Sequence, residues 1–296
     1  MSLDSLRNIR FVLVEPSHPG NIGAVARAMK TMGLSRLALV RPEQFPSAEA
    51  TARASGADDV LYHATLFDDL PSALADCVLT VGTSARRRTL EWPELSPREA
   101  APVLLEAAAR GPVGVVLGRE SSGLTNGELE RCQYLLRIPA NPEYSSLNLA
   151  AAAQVVAYEL RVAALAATAA GSTEDIAAAE VARVAGVAGP DPLTEGRTSP
   201  QAEDARPATA AELEGLLAHL EETATAIGFL DPAAPRYLMR RLWRLFHRAR
   251  LDRTEVNILR GFLKAVLLAA RLTPPRCPSG PPDPPPGGPA PRRSSR

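Results

Sequence analysis

Short apolar runs alternate with helical patterns along the first half of the chain. The runs that predict strands are Ile9–Val14, Arg36–Val40, Asp59–Tyr62, Cys77–Val81, Val113–Leu117 and Tyr134–Ile138. Several are apolar throughout, a pattern typical of parallel strands covered on both faces. The predicted helices lie near Ile22–Met32, Ser47–Ser55, Pro97–Ala109 and Asn126–Arg131, with a longer one from Ser146 to about Ala167. This order predicts an α/β fold with a doubly wound, mostly parallel sheet.

The pattern changes after Ala167, and we predict a first domain over residues 1–168. Residues 169–208 mix Ala, Gly, Pro, Thr and acidic residues without a sustained period, apart from a helical patch at Glu174–Val184, and predict a linker. A small all-helical extension is expected over residues 209–272, with helices at Thr209–Ala226, Pro235–Ala249 and Arg253–Arg271. Residues 273–296 are rich in proline and too poor in apolar residues to form a core, which predicts a disordered tail.

Composition narrows the class of protein. The 296 residues are 46% hydrophobic, enough for a packed core, and their zero formal net charge argues against nucleic-acid binding by bulk charge alone. The start of the chain lacks a signal-peptide pattern, and polar residues interrupt the apolar run Leu149–Ala170, so we expect a cytoplasmic protein without a membrane span. The cysteines are far apart in sequence and predict neither disulfides nor a metal site.

Four predicted strands end in turns that combine glycine or proline with polar side chains. The four stretches read EPSHPGNIG, VGTSARRRTLEW, LGRESSGLTNGEL and PANPEYSSLN. Because ligands bind at the carboxyl ends of parallel strands, these turns predict one shared site. Taken singly, Gly82 and Gly118 also fit ordinary turn glycines, and Ser145 and Ser146 fit helix N-caps. The spacing in GNIG excludes a dinucleotide fingerprint and a phosphate-binding loop.

The helix after the first strand carries Arg27 among small residues. Gly20, Gly23, Ala24 and Thr31 share its face, which would let a ligand approach the guanidinium closely. The alternative is an ordinary solvated arginine, since most helix arginines lie at the surface.

Three of these stretches resemble the successive motifs of the SPOUT superfamily of knotted RNA methyltransferases: VEPSHPGNIGAVARAMKTMG, VLGRESSGLTNGEL and IPANPEYSSLNLA. More narrowly, they resemble the bacterial tRNA 2′-O-methyltransferases that modify cytidine or uridine at nucleotide 32 of the anticodon loop. The similarity covers residues 7–165 and continues in RLWRLFHRAR and VNILRGFLKAV. It implies a trefoil knot near Val113–Leu165, a homodimer, tRNA as substrate and S-adenosyl-L-methionine as cofactor.

The resemblance also implies roles for individual residues. Implied cofactor contacts are Thr83, Ser84, Ala85, Gly118, Ile138, Ser145, Ser146 and Leu147. Implied catalytic residues are Arg27, Asn21, Glu120, Ser146 and Asn148, and Arg86 and Arg88 would contact RNA. In similar enzymes the arginine at the position of Arg27 activates the ribose hydroxyl. A guanidinium has a pKa above about 12 and is a poor base, so we expect Arg27 first to orient the ribose and to stabilise charge. His18, in the first turn, is a weaker candidate base.

One helix of the extension carries a basic stripe. Arg236, Arg240, Arg244 and Arg248 recur at four-residue spacing, and the residues expected on the buried side are Leu238, Leu242 and Leu245. Such a stripe fits a phosphate-binding surface, and the alternative is a solvated face in an arginine-rich chain. The resemblance favours contact of Arg240, Arg244 and Arg248 with tRNA.

Two other functions stay open at this point. The motifs encode cofactor and chemistry but not the nucleotide presented, so the target could be ribosomal RNA or another tRNA position. A non-catalytic RNA-binding protein on the same fold is the second alternative, and the presence of Arg27, Ser146 and Asn148 argues against it.

Overall fold

A seven-stranded sheet organises the first half of the molecule. The structure, a computed structural model, describes residues 3–85, 92–185, 206–234 and 237–272. Its strands are β1 Ile9–Val14, β2 Arg36–Val40, β3 Thr65–Phe67, β4 Leu79–Thr83, β5 Glu94–Leu95, β6 Val113–Leu117 and β7 Tyr134–Leu136. They pair in the order β3-β2-β1-β6-β4-β7-β5, and each pairing is parallel. The carboxyl ends of all these strands therefore meet at one edge.

Helices cover both faces of this sheet. A 3-10 helix spans Leu3–Asn8, and the helices that follow are α1 Pro19–Thr31, α2 Ala48–Ala54, α3 Asp58–Tyr62, α4 Leu70–Leu74, α5 Pro97–Ala108, α6 Asn126–Leu129 and α7 Leu149–Ala185. Side chains of α1, α5 and α7 pack with Phe11 and Leu13 on one face, whereas those of α4 and α6 pack with Val12 and Val14 on the other. The α/β fold with a doubly wound parallel sheet is confirmed.

Three predicted strands differ from the structure, one of them only in that β7 ends at Leu136 and not at Ile138. The prediction of a strand over Asp59–Tyr62 is wrong, because these residues lie in α3. There Val60 and Leu61 are buried, and Asp58 and Asp59 occupy the first turn. The edge strand β3 follows it and was not predicted, since its three residues are largely exposed. The strand predicted over Cys77–Val81 is shifted by two residues, because the Cys77 amide donates to Leu74 in a turn.

The long helix α7 begins later and ends later than predicted. Ser145 and Ser146 are not its N-cap; the side-chain oxygen of Asn148 accepts from the Ala150 amide at 2.9 Å and so caps the helix. The helix continues to Ala185, into the stretch expected to be a linker. By length and composition its segment Leu149–Ala169 could cross a membrane, but here it packs against α1 and α5.

The glycine at position 23 allows α1 to lie directly on α2. A Cβ atom there would stand 2.0 Å from the Ala50 carbonyl oxygen, and Gly23 itself is buried. Gly23 on the small face of α1 is thus used for helix packing, whereas Arg27 and Thr31 on that face are exposed, and the approach of a ligand to Arg27 stays a prediction. Close packing of α1 holds the turn before it in place at the sheet edge.

Three further helices follow residue 206. They are α8 Ala210–Ala226, α9 Leu238–Ala249 and α10 Arg253–Leu272. Their shared core contains Leu213, Leu216, Val256 and Leu263. Leu245 was expected to be buried but is 45% exposed, because α9 packs less deeply than the stripe suggested.

Charged pairs join these helices to the α/β domain. Arg240 on α9 places its Nε 2.5 Å from the Glu130 carboxylate, and Arg131 pairs with Glu214 on α8. The amide of Ala210 donates to the Cys77 carbonyl at 2.9 Å. The first helical turn of α8 is therefore attached to the turn that leads into β4.

His247 on α9 is buried where the helices meet the α/β domain. It is 8% exposed, stacks on Trp243 with ring centroids 5.1 Å apart, and neither ring nitrogen has a hydrogen-bond partner within the described residues. Burial lowers the pKa of His247 to about 4. The folded protein therefore keeps this imidazole neutral at physiological pH.

We predict that Gly23→Ala destabilises the fold. The added methyl would force α1 away from α2, and overpacking of this kind lowers the free energy of unfolding by about 1–3 kcal/mol. Gly261→Ala is the matched control, because its Cβ meets nothing within 4 Å and alanine should stabilise an open helical position by about 0.5–1 kcal/mol. Urea unfolding measures both, and equal effects of the two substitutions would contradict the packing role of Gly23.

We predict that burial of His247 makes stability depend on pH. In the unfolded chain His titrates near about 6.5. As pH falls below that value the unfolded state binds the proton first, so the stability is present above about 6.5 and is lost as pH falls toward 4. Between pH 7.5 and 5 the free energy of unfolding should fall by about 2 kcal/mol more than in His247→Phe. Identical pH profiles in urea unfolding followed by fluorescence would refute this.

Candidate active site at the carboxyl edge of the sheet

A cavity of about 130 Å³ lies beyond the carboxyl ends of β4, β6 and β7. All eight residues expected to contact a cofactor line it: Thr83, Ser84, Ala85, Gly118, Ile138, Ser145, Ser146 and Leu147. The remaining wall includes Leu117, Leu136, Leu149 and the loop from Arg119 to Gly123. Loops far apart in sequence therefore form one continuous surface with hydroxyl groups and apolar side chains.

Glycines shape the loop that follows β6. A Cβ atom on Gly118 would stand 2.3 Å from the backbone carbon of Gly123 and the backbone nitrogen of Leu124, so no other residue fits without moving the loop. Gly123 has a φ of 70°, a conformation that glycine adopts without strain. The two glycines together fold the loop back on itself beside the cavity.

The carboxylate of Glu120 gathers donors from the turn after β1. It accepts hydrogen bonds from the Ser17 amide and hydroxyl at 3.1 Å each, from the His18 amide at 3.4 Å and from the Asn21 side chain at 3.1 Å. Partial burial disfavours its charge, but the hydrogen bonds from Asn21 and the Ser17 amide hold the pKa of Glu120 below its usual value. The carboxylate is thus ionised and locks two loops together.

A second hydrogen bond extends this connection to the third motif. The Asn148 side-chain amide donates to the side-chain oxygen of Asn21 at 3.0 Å. Three of the residues expected to be catalytic, Asn21, Glu120 and Asn148, therefore form one hydrogen-bonded line, and Ser146 lies on the cavity wall beside it.

Arg27 stands apart from the cavity. It is exposed on α1, is not among the residues lining the cavity, and makes no hydrogen bond or ion pair within the described part of the chain. It follows Asn21 by six residues, about 9 Å along the helix axis. The structure leaves its guanidinium available for a partner from outside.

Sequence reasoning did not single out an ion-pair cluster behind the cavity. The Arg119 guanidinium donates to Glu15 through Nε at 2.5 Å and to both oxygens of Glu128 at 3.0 and 3.1 Å. The hydrogen bonds that Arg119 donates to Glu128 and Glu15 raise the pKa of its guanidinium. Glu15 adopts a left-handed φ of 47°, which costs about 1–3 kcal/mol in a residue with a Cβ. The positions of Glu15 and Arg119 just after two predicted strands were the available signal.

The donor set suits a neutral or cationic ligand. Among the described residues of the cavity wall, Arg119 is the one arginine, and two carboxylates offset its charge; the other polar groups described there are hydroxyls, backbone groups and Glu120. No group of three or more His, Cys, Asp or Glu side chains suited to a metal occurs among the described residues. Such a wall favours a neutral or cationic ligand over a polyphosphate.

The arginines expected to contact RNA differ in their surroundings. Arg86 and Arg88 fall outside the described residues. Arg240 pairs with Glu130, as described above, whereas Arg244 and Arg248 are exposed on α9.

Similarity to known proteins agrees with this architecture. Residues 8–158 match the model of the SpoU rRNA Methylase family, and residues 211–275 match that of the tRNA methyltransferase TrmJ C-terminal domain. The chain is 49% identical over 267 residues to the tRNA (cytidine/uridine/adenosine-2′-O-)-methyltransferase TrmJ of Pseudomonas aeruginosa, covering 90% of this chain and 96% of the relative. It is 49% identical over 261 residues to the tRNA (cytidine/uridine-2′-O-)-methyltransferase TrmJ of Pectobacterium atrosepticum, covering 88% and 97%.

A solved structure is similar over almost the same extent. The crystal structure of TrmJ from Z. mobilis ZM4 superposes with a TM-score of 0.68 at 31% identity, covering 87% of this chain and 98% of that one. The chain therefore belongs to the SpoU rRNA Methylase family, in the group whose members also carry the TrmJ C-terminal domain.

Proposed function

We propose that this protein transfers a methyl group from S-adenosyl-L-methionine to the 2′-hydroxyl of a ribose in tRNA. One observation carries the proposal: Asn148, Asn21 and Glu120 form a hydrogen-bonded line beside a cavity that all eight expected cofactor residues surround. Relatives with 49% identity over most of this chain are tRNA 2′-O-methyltransferases.

The cavity wall fits the cofactor. Backbone groups at Gly118, Ile138 and Leu147 can hydrogen-bond an adenine edge, and the apolar side chains can flank its ring. Glu120 on the wall would offset the positive charge of the cofactor. When bound, S-adenosyl-L-methionine supplies an already activated methyl group, so the protein has mainly to orient the acceptor.

The acceptor ribose is held by the polar line and by Arg27. Orientation of reacting groups can account for about 7–11 kcal/mol of the barrier. Asn21 and Asn148, fixed by Glu120 and by each other, present a rigid polar edge to the ribose, and the exposed Arg27 can bind the neighbouring phosphate and the developing alkoxide. The hydroxyl proton would pass to an oxygen of this phosphate and from there to water, because the charged guanidinium of Arg27 has no acceptor atom. His18 is exposed and contacts Glu120 only through its backbone amide.

We take the substrate to be cytidine or uridine at position 32 of the anticodon loop. The names of both relatives include cytidine and uridine, with adenosine as well for the Pseudomonas aeruginosa protein, and the resemblance of the motifs favours position 32. Methylation of another tRNA position or of ribosomal RNA is the alternative, because the cavity determines the chemistry rather than the nucleotide presented to it.

We propose that α9 contributes part of the tRNA surface. Its exposed arginines Arg244 and Arg248 can contact phosphates, and Arg86 and Arg88 would extend the contact near the cavity. Arg240 serves first to dock α9 on the α/β domain through Glu130.

We propose that the working form is a cytoplasmic homodimer with a trefoil knot near Val113–Leu165. An exposed apolar stripe on α7, formed by Tyr158, Val162 and Leu165, supports pairing with a second copy. The division into a methyltransferase domain over 1–168, a linker over 169–208 and a helical domain over 209–272 is part of this proposal. Residues 186–205 of the linker and the tail over 273–296 lie outside the described residues.

We predict that Arg27→Ala abolishes most of the activity and spares the fold. The exposed side chain has no protein partner among the described residues, so the free energy of unfolding should change by less than about 1 kcal/mol. Methyl transfer should fall by a factor of about 10²–10⁴, and Arg27→Lys should recover little because an ammonium lacks the planar fork. Single-turnover transfer of labelled methyl to tRNA measures this.

Calorimetric binding of S-adenosyl-L-methionine is the control for Arg27→Ala. Its affinity should persist, because Arg27 does not line the cavity. Near wild-type turnover would mean that Arg27 is an ordinary solvated arginine. Loss of cofactor binding would mean that Arg27 acts in cofactor binding and not in positioning the ribose.

We predict that Arg244→Glu combined with Arg248→Glu weakens tRNA binding. Each lost phosphate contact should reduce the slope of log affinity against log salt by about 1, while cofactor affinity stays unchanged. Arg7→Glu, which reverses the charge of an 80% exposed arginine in the 3-10 helix, is the control for each single substitution, Arg244→Glu and Arg248→Glu, because each changes the net charge equally. Affinities that stay at the wild-type level across a salt series would remove α9 from the tRNA surface.

A further inference from the structure

The Arg119 side chain connects the end of β1 to α6. Its guanidinium lies between Glu15, at the end of β1, and Glu128, on α6, and donates to three of their oxygens. The side chains are only 20%, 29% and 16% exposed for Arg119, Glu15 and Glu128. Charge-assisted bonds with these geometries are directional and are little screened by solvent.

Both carboxylates are themselves held in place. Glu128 also accepts from the Thr125 amide at 2.7 Å as part of the capping box of α6. Glu15 is in a left-handed conformation, its amide donates to Val40 at 2.8 Å, and its carboxylate also pairs with Arg41. Arg119 is therefore pinned to two independent anchors.

The residue next to Arg119 in sequence is Glu120, and the residues after Glu15 lead to Ser17 and His18. Glu120 accepts from the amides of both Ser17 and His18. The same two chain segments are thus joined twice, once by the ion pairs and once by the Glu120 hydrogen bonds. A shift of Arg119 relative to Glu15 must displace Glu120 relative to Asn21.

We propose that Arg119 is a positioning residue, which through its fork between Glu15 and Glu128 sets Glu120 and hence the polar line that orients the ribose. This inference rests on the proposed methyl transfer. Arg119 touches no reacting atom in this scheme. It acts by keeping the loop after β6 in register with the turn after β1.

The test compares Arg119→Met with Arg110→Met. Arg110 also pairs with one glutamate, Glu106, but is 57% exposed and lies two residues after the end of α5. In Arg119→Met the single-turnover rate at saturating cofactor and tRNA should fall by about 10–100-fold, the range for groups that orient a reactive centre. The affinity for S-adenosyl-L-methionine should fall less than tenfold, and Arg110→Met should match the wild type in both.

A readout independent of activity is amide hydrogen exchange. The peptide that contains Ser17 and His18 should exchange faster in Arg119→Met, because Glu120 no longer accepts hydrogen bonds from these amides in a fixed geometry. The exchange rate of the β1 peptide should not change. Arg119→Lys should leave both defects, since an ammonium cannot span two carboxylates as a planar fork does. If Arg119→Met fails to fold, Glu15→Gln replaces it, with a smaller loss of the same kind.

Four outcomes would overturn the proposal. Two concern Arg119→Met: a wild-type single-turnover rate in the folded variant, or a rate deficit that saturating cofactor alone removes. The other two are a wild-type rate in Arg119→Lys and unchanged amide exchange at Ser17 and His18 in Arg119→Met. A wild-type protein that methylates no tRNA would instead refute the proposed function, and the exchange measurement would still report on Arg119.

Discussion

The carboxylate of Glu120 is the contact on which the site depends. A half-buried charge is stable only when donors surround it, and the donors here come from the turn after β1 and the first turn of α1. This requirement fixes the distance between two loops that are about a hundred residues apart in sequence. Asn148 joins through Asn21, so the third motif loop is fixed by the same charge.

The sheet makes this contact possible. In a parallel sheet the register of neighbouring strands brings all carboxyl ends to one edge, and here Phe11 pairs with both Leu37 and Val115. The loops after β1 and β6 consequently start side by side. Close packing of Gly23 on α2 and the Asn148 cap of α7 then hold the two helices that border the site.

Arginine has three distinct uses in this molecule. Arg119 is pinned between carboxylates and orders a loop, Arg240 docks α9 on the α/β domain, and Arg27 is exposed with no partner in the described chain. These uses follow from burial and neighbours, since the side chain is the same in each case. A four-residue spacing of arginines on a helix cannot separate a docking contact from a phosphate contact.

By itself the sequence determined the α/β order, most helices, the apolar strands β1, β2 and β6, and the residues around the cavity. Those features depend on local apolar pattern and on motifs that are contiguous in the chain. The short exposed strands β3 and β5 were missed because they carry little pattern, and Asp59–Tyr62 was misassigned because a short run with two buried residues fits a helix or a strand. Only the tertiary structure decided that Gly23 serves packing, that Asn148 caps α7 and that Glu15, Arg119 and Glu128 meet. Each of these depends on which groups come into contact after folding, and the order of residues along the chain does not give the distances between such groups in space.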